Sequence, residues 1–160
     1  MCTRVTYLGP EETVITARSM DWYDSIDTHL WVYPRGMARN GAAGENSVVW
    51  TSQLGSVTAA GFDAATTDGM NEAGLVANLL YLAESDYGTP ENDDPRPRMS
   101  ISAWCQYVLD NFATVTEAVE ALRPEPFLIR AVETPDGHAG TVHLAISDPS
   151  GDSAIFEYVA

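Results

Sequence analysis

Apolar and polar positions alternate in short runs over the first third of the chain, and turn-forming residues separate the runs. Residues 5–8 and 13–17 flank Gly9-Pro10-Glu11-Glu12, which predicts a β-hairpin at the N-terminus. His29-Leu30-Trp31-Val32-Tyr33 predicts a strand stopped by Pro34. Residues 47–51 predict another around Val48, Val49 and Trp50, and residues 57–62 a further one. The Gly- and Ala-rich stretch 36–46 reads as a loop. Asp68-Gly69-Met70-Asn71-Glu72-Ala73-Gly74 reads as a turn. It leads into residues 75–82, an apolar run of strand length expected to be buried on both faces.

The pattern then changes. Residues 84–98 hold five acidic residues and three prolines and predict an exposed loop. Ser100 or Ser102 is placed to cap a helix running to about Phe112, and a second helix follows over 116–122, before Pro124 and Pro126. Residues 127–132, 141–147 and 153–159 predict strands, the last two joined by Asp148-Pro149-Ser150-Gly151-Asp152. Strands, a helical block and strands again predict an α+β fold with antiparallel sheets. No repeat or linker divides residues 1–160, so one domain is expected. The final strand runs straight into Ala160, which suggests a truncated chain or a fragment.

Composition narrows the function. The chain has 160 residues, 45% hydrophobic and 19% charged, as a globular protein does. Acidic residues number 23 against 8 basic ones, and the net charge of -15 repels phosphate backbones, so nucleic acid is not expected as a partner. All the basic residues are Arg, and the absence of Lys excludes Schiff-base chemistry and Ser-Lys dyads. No apolar run reaches the roughly 18 residues of a membrane span, and no secretory pattern opens the chain, so the expected compartment is the cytoplasm. His138 and His143 lie five apart without a third ligand, so no metal is expected. Residues 36–44 are Gly-rich but precede no clear helix, so a phosphate loop is not expected either.

The two cysteines differ in kind. Cys105 falls in an amphipathic helical stretch and reads as a buried, inert thiol. Cys2 follows the initiator methionine, and removal of Met1 would make it the N-terminus. One residue would then carry an α-amine with a pKa of about 7.7–8.0 and a thiol of about 8.5. The amine can act as general base for its own thiol without a His partner. The predicted hairpin returns Arg18 and Asp21 toward Cys2. A guanidinium there favours the thiolate, and a carboxylate can orient the amine. The alternative is that Arg18 and Asp21 form an ordinary surface ion pair.

These segments resemble the choloylglycine hydrolase family, which includes bile salt hydrolases and penicillin V acylases. The resemblance rests on Met1-Cys2-Thr3, on Arg18-Ser19-Met20-Asp21 and on Asp68-Gly69-Met70-Asn71-Glu72-Ala73-Gly74-Leu75, in that order and spacing. It implies an Ntn-hydrolase fold, a four-layer αββα sandwich that this chain alone leaves incomplete. It implies Cys2 as nucleophile and, through its α-amine, base, with Arg18 and Asp21 in support and no cofactor. Asn71 is expected to shape its turn. Tyr81 falls where the family carries an oxyanion or substrate-contacting side chain, and Tyr there resembles penicillin V acylases, whereas bile-salt-selective members carry Asn. Asn78 lies three positions earlier and therefore on the opposite face of a strand. The implied partner is a small acyl amide. Family members are longer and place a further Asn and Arg in their second half. A homo-oligomer, association with a C-terminal half, or a catalytically incomplete fragment that keeps the fold are the other expectations.

Overall fold

The computed structural model describes residues 2–23, 25–88, 94–135 and 137–159. Among these, β1 (Thr3–Leu8) and β2 (Val14–Ser19) form the predicted hairpin, in a register that sets Arg4 opposite Arg18. The strand β3 (His29–Tyr33) follows, then β4 (Ala38–Asn40), β5 (Val49–Thr51), β6 (Ser56–Gly61), β7 (Ala65–Asn71) and β8 (Val76–Tyr81). After β9 (Arg98–Ser100) come the helices α1 (Ile101–Asn111) and α2 (Val115–Leu122), then β10 (Leu128–Arg130), β11 (Val142–Ser147) and β12 (Ser153–Phe156).

Six strands make one antiparallel sheet in the order β12-β11-β8-β7-β6-β3. The helices cover one face. Ser100 caps α1 by accepting from the Ser102 amide, and Thr114 caps α2 by accepting from the Glu117 amide. Trp104, Cys105, Val108 and Leu109 of α1 are fully buried against Ala77, Leu79, Leu144 and Ile146 of the sheet. Each such aliphatic burial stabilises by about 1.5–3 kcal/mol. The short pairs β4–β5 and β9–β10 close this core at its rim, where Met99, Ile129 and Trp50 join it. The hairpin lies across the other face, over β8 and β11, so the described residues build a helix layer, a sheet and part of a second β layer.

That second layer is inverted in polarity. Arg4, Thr6, Thr16 and Arg18 point inward, whereas Val5, Tyr7 and Ile15 point outward and are exposed. Beside the hairpin the same sheet face is uncovered. Val32, Val57 and Met70 line up across β3, β6 and β7, all exposed, and Leu30 and Val32 are each 77% accessible. A face of this kind is apolar surface shaped to pack against another layer.

Three expectations change. The loop 36–46 contains β4, because Gly41 donates to the Val48 carbonyl and lets Met99 approach its Cα. The stretch 68–74 is a turn only from Glu72, since β7 runs on to Asn71. Asp and Gly are poor strand formers, but here Asp68 finds charged and amide partners, and Gly69 makes room for Leu109. The acidic segment ends in β9, which pairs in parallel with β10, an exception to the expected antiparallel order. Residues 89–93 of that segment lie outside the described residues, as does Met1. No described helix is long and apolar enough to cross a membrane.

Candidate active site

A cavity of about 110 Å³ opens where β6 and β8 finish, β7 and β11 begin, and α1 starts. Cys2, Arg18 and Tyr81 all line it. The hairpin register explains how: Thr3 pairs with Ser19, so Cys2 stands at the open end of the hairpin beside the residues that follow Ser19. The rest of the wall is mostly apolar, with Met20, Trp22, Phe62, Leu79 and Val142 among its residues and Ser102 at the start of α1.

Arg18 is nine-tenths buried and enters the cavity from behind. It donates through Nη2 to the Leu79 carbonyl, and its Nε stands 3.0 Å from Asp68 Oδ1, an ion pair by distance although not aligned as a hydrogen bond. The buried Nη1 has no partner among the described residues. The carboxylate facing Arg18 is thus Asp68, not the Asp21 of the alternative reading as a surface ion pair. Asp68 in turn accepts from Asn78 Nδ2 at 2.8 Å, and Asn78 Oδ1 accepts from Arg4 Nε at 2.7 Å. Arg4 also donates to Ser147 Oγ at 2.7 Å, and its burial lowers its pKa. Two arginines, one carboxylate and one amide therefore form a polar layer between hairpin and sheet.

Tyr81 and Asn78 part company as their odd spacing requires. Tyr81 lines the cavity, while Asn78 is buried beneath the hairpin. Asp21 does not line this cavity. It borders an adjoining depression with Trp22, Tyr23 and Tyr81, so the two spaces share the Trp22 and Tyr81 rings. Trp22 meets Tyr81 edge-on at 5.7 Å and His138 at 5.9 Å, and His138 stacks on Tyr23 at 4.3 Å. Trp22, Asp68, Arg4 and Ser102 were not given a role in the site from the sequence. Trp22 directly follows Asp21, and the pairing of Asp68 with Asn78 needs the strand register.

The other candidates fall elsewhere. Cys105 is fully buried, bonds the Ala77 carbonyl, and has its thiol pushed well up by burial. His143 faces Glu157 at 3.0 Å, in surroundings different from those of His138. Among the described residues no three His, Cys, Asp or Glu side chains gather as a metal site would require. Asn71 shapes its turn: its Oδ1 accepts from the Ala73 and Leu75 amides.

Comparison with known proteins bears on the family and the fold. Residues 2–160 match the family described as linear amide C-N hydrolases, choloylglycine hydrolase family. Penicillin V acylase of Pectobacterium atrosepticum is 51% identical over 167 residues, covering 99% of this chain and 44% of the relative. The solved penicillin V acylase of Agrobacterium tumefaciens is 56% identical with a TM-score of 0.87, covering 99% of this chain and 47% of that one. A mutant conjugated bile acid hydrolase from Clostridium perfringens shares the fold at a TM-score of 0.81 and 23% identity, over 99% of this chain and 48% of that one. The chain thus spans a little under half the length of these relatives.

Proposed function

The chain belongs to the choloylglycine hydrolase family of linear amide C-N hydrolases, and from that premise we propose that it carries the nucleophile-bearing part of a cysteine amide hydrolase. The observation that supports this reading is the meeting of Cys2, Arg18 and Tyr81 in one largely apolar cavity. With Met1 removed, the Cys2 α-amine takes the thiol proton as the sulfur attacks the amide carbon. Arg18 favours the thiolate by its charge, and Tyr81 offers its hydroxyl to the tetrahedral oxyanion. The C–N bond breaks, the leaving amine takes the proton from the α-ammonium, and an acyl-thioester remains on Cys2. Water adds to the thioester, the carboxylic acid departs, and the thiol is restored. Asp21 orients the α-amine. No cofactor enters the sequence.

The relatives named penicillin V acylase, together with Tyr81 and the small, largely apolar cavity, favour an aryl-bearing acyl group over a conjugated bile salt. The partner is then a small acyl amide. A second reading has its own observation. The exposed outer face of the hairpin and the uncovered row Val32, Val57 and Met70 suit a chain that acts only with a further β layer, supplied by a C-terminal half or a second copy.

The test is turnover of phenoxyacetyl amides, N-acyl homoserine lactones, other N-acyl amino compounds and conjugated bile salts. It is run on the chain alone and with the C-terminal segment of the Agrobacterium relative added in trans. The N-terminus is checked by mass. Hydrolysis by the wild type, lost in Cys2→Ala, supports the assignment. Retention of Met1 in an active preparation, or equal turnover by Cys2→Ala, refutes it. Turnover only with the added segment selects the second reading.

A further inference from the structure

Arg4 and Arg18 are directly paired across the hairpin, and both guanidinium groups enter the narrow layer above the sheet. Like charges set opposite each other on neighbouring strands repel. Against these two positive charges, the carboxylate that the described contacts bring into the layer is Asp68. Its position is not left to the ion pair. Asp68 and Asn78 are direct neighbours on β7 and β8, and Asp68 Oδ1 accepts from the Asn78 amide at 2.8 Å while standing 3.0 Å from Arg18 Nε as an ion pair. Asn78 is held in turn by Arg4, and Arg4 by Ser147, which also bonds Thr16 at 2.8 Å. The chain Ser147–Arg4–Asn78–Asp68–Arg18 therefore ends on a guanidinium whose remaining buried nitrogen, Nη1, has no partner among the described residues and whose side chain lines the cavity with Cys2.

We propose that Asp68, clamped by Asn78 and Arg4, is the positioning residue that holds the Arg18 guanidinium in place beside the Cys2 thiol. The inference rests on the reading of Cys2 as nucleophile with Arg18 in support. Asp68 does not itself line the cavity, so it acts on the thiol only through Arg18. Position and charge then act in opposite directions. As a bare negative charge Asp68 disfavours the thiolate, while as an anchor it keeps the positive charge that favours it.

That opposition makes the inference testable on the chain as it stands, by the pH dependence of Cys2 alkylation with iodoacetamide, read by peptide mass. Cys105 is buried and serves as an unreactive internal control. The groups facing this region are Arg4 and Arg18 from the hairpin, Asp68 from β7, Tyr81 from β8, and Asp21 and His138 around Trp22. Asp68→Ala should slow alkylation at neutral pH roughly tenfold and raise the midpoint of the profile by about one unit, as release of a neighbouring opposite charge does. Asp68→Asn keeps an oxygen for Asn78 and Arg18, and should sit at or below the wild-type midpoint. Asn78→Ala should move it the same way as Asp68→Ala, by less, and serves if Asp68→Ala melts too low for the assay. A fall in both Asp68 variants means Asp68 only balances charge, and an unmoved midpoint in Asp68→Ala with a lowered melting temperature means it is only structural. Either result overturns the inference. Arg18→Gln separates the two levels. If it raises the midpoint and the Asp68 and Asn78 variants do not, the inference alone fails. If Arg18→Gln changes nothing, the Cys2–Arg18 reading fails and takes the inference with it.

Discussion

Replacing Asn71 with Ala should destabilise the protein by about 3 kcal/mol, and the structure shows why. Asn71 is 3% exposed at the end of β7. Its Nδ2 donates to the Leu109 carbonyl at 3.0 Å and the Phe112 carbonyl at 2.7 Å, two acceptors that the end of α1 leaves without helical partners. Its Oδ1 accepts from the Ala73 and Leu75 amides at 3.1 and 3.0 Å. One carboxamide thus ties the β7–β8 turn to the C-terminus of α1. A typical hydrogen bond contributes about 0.5–1.5 kcal/mol net, so four are worth about 2–6 kcal/mol. Water reaching the half-buried Phe112 carbonyl recovers some of this, which sets the expectation near the lower middle of that range, about 3 kcal/mol. For a chain of this size the melting temperature should fall by about 6–12 °C. Urea unfolding followed by circular dichroism, with the slope unchanged, measures it directly. Asn71→Asp keeps the two acceptor bonds but turns an anion toward two carbonyl oxygens. At neutral pH it should cost at least as much as Ala, and it should recover as pH falls toward about 4, because burial beside carbonyl oxygens raises the carboxyl above its ordinary value and the acid regains a donor. A cost under about 1 kcal/mol for Asn71→Ala, or an Asp variant milder than Ala at neutral pH, would refute the four-bond account.

Other outcomes follow from the same structure. Gly69→Ala places a Cβ 2.6 Å from Leu109 Cδ1 and 2.9 Å from the Val57 carbonyl oxygen. Leu109 can shift but the strand backbone cannot, so a loss of about 1–3 kcal/mol is expected by thermal melt, and an unchanged melt would contradict it. Glu72 accepts from Arg35 and from the Gly55 amide, and these bonds hold its carboxyl down at about 2 rather than 4.5. A depressed folded pKa stabilises fully above the ordinary value, and that contribution is lost as pH falls from 4.5 toward 2. A carboxyl-carbon NMR titration should find the low midpoint in the wild type and a higher one in Arg35→Ala; equal midpoints would discount the pair. Native alkylation should label Cys2 and spare Cys105, whose fully buried thiol is pushed well up by burial, until the chain unfolds. Labelling of both at equal rates under native conditions would contradict the burial.

Much of this protein was legible before any coordinates. Turn chemistry at residues 9–12 announced the hairpin and hence the approach of Arg18 to Cys2, because a hairpin is local and its register follows from its loop. Ser100, one of two serines placed to cap it, marked the first helix through another local effect, whereas the second helix was expected only from residue 116 and its cap, Thr114, came from the structure. The odd spacing of Asn78 and Tyr81 assigned them to opposite faces of one strand, since side chains alternate strictly along it. What the sequence could not yield was anything that depends on which strands become neighbours. Asp68 and Gly69 look like turn residues until β7 lies between β6 and β8, with Asn78 beside Asp68 and Leu109 over Gly69. The ion pair of Arg18 with Asp68, the inward Arg4, and the outward Val5, Tyr7 and Ile15 are decisions of packing between layers. Local propensity and periodicity fix elements because they act between residues a few positions apart, whereas a buried charge layer is chosen by contacts tens of residues apart, which only the folded chain brings together.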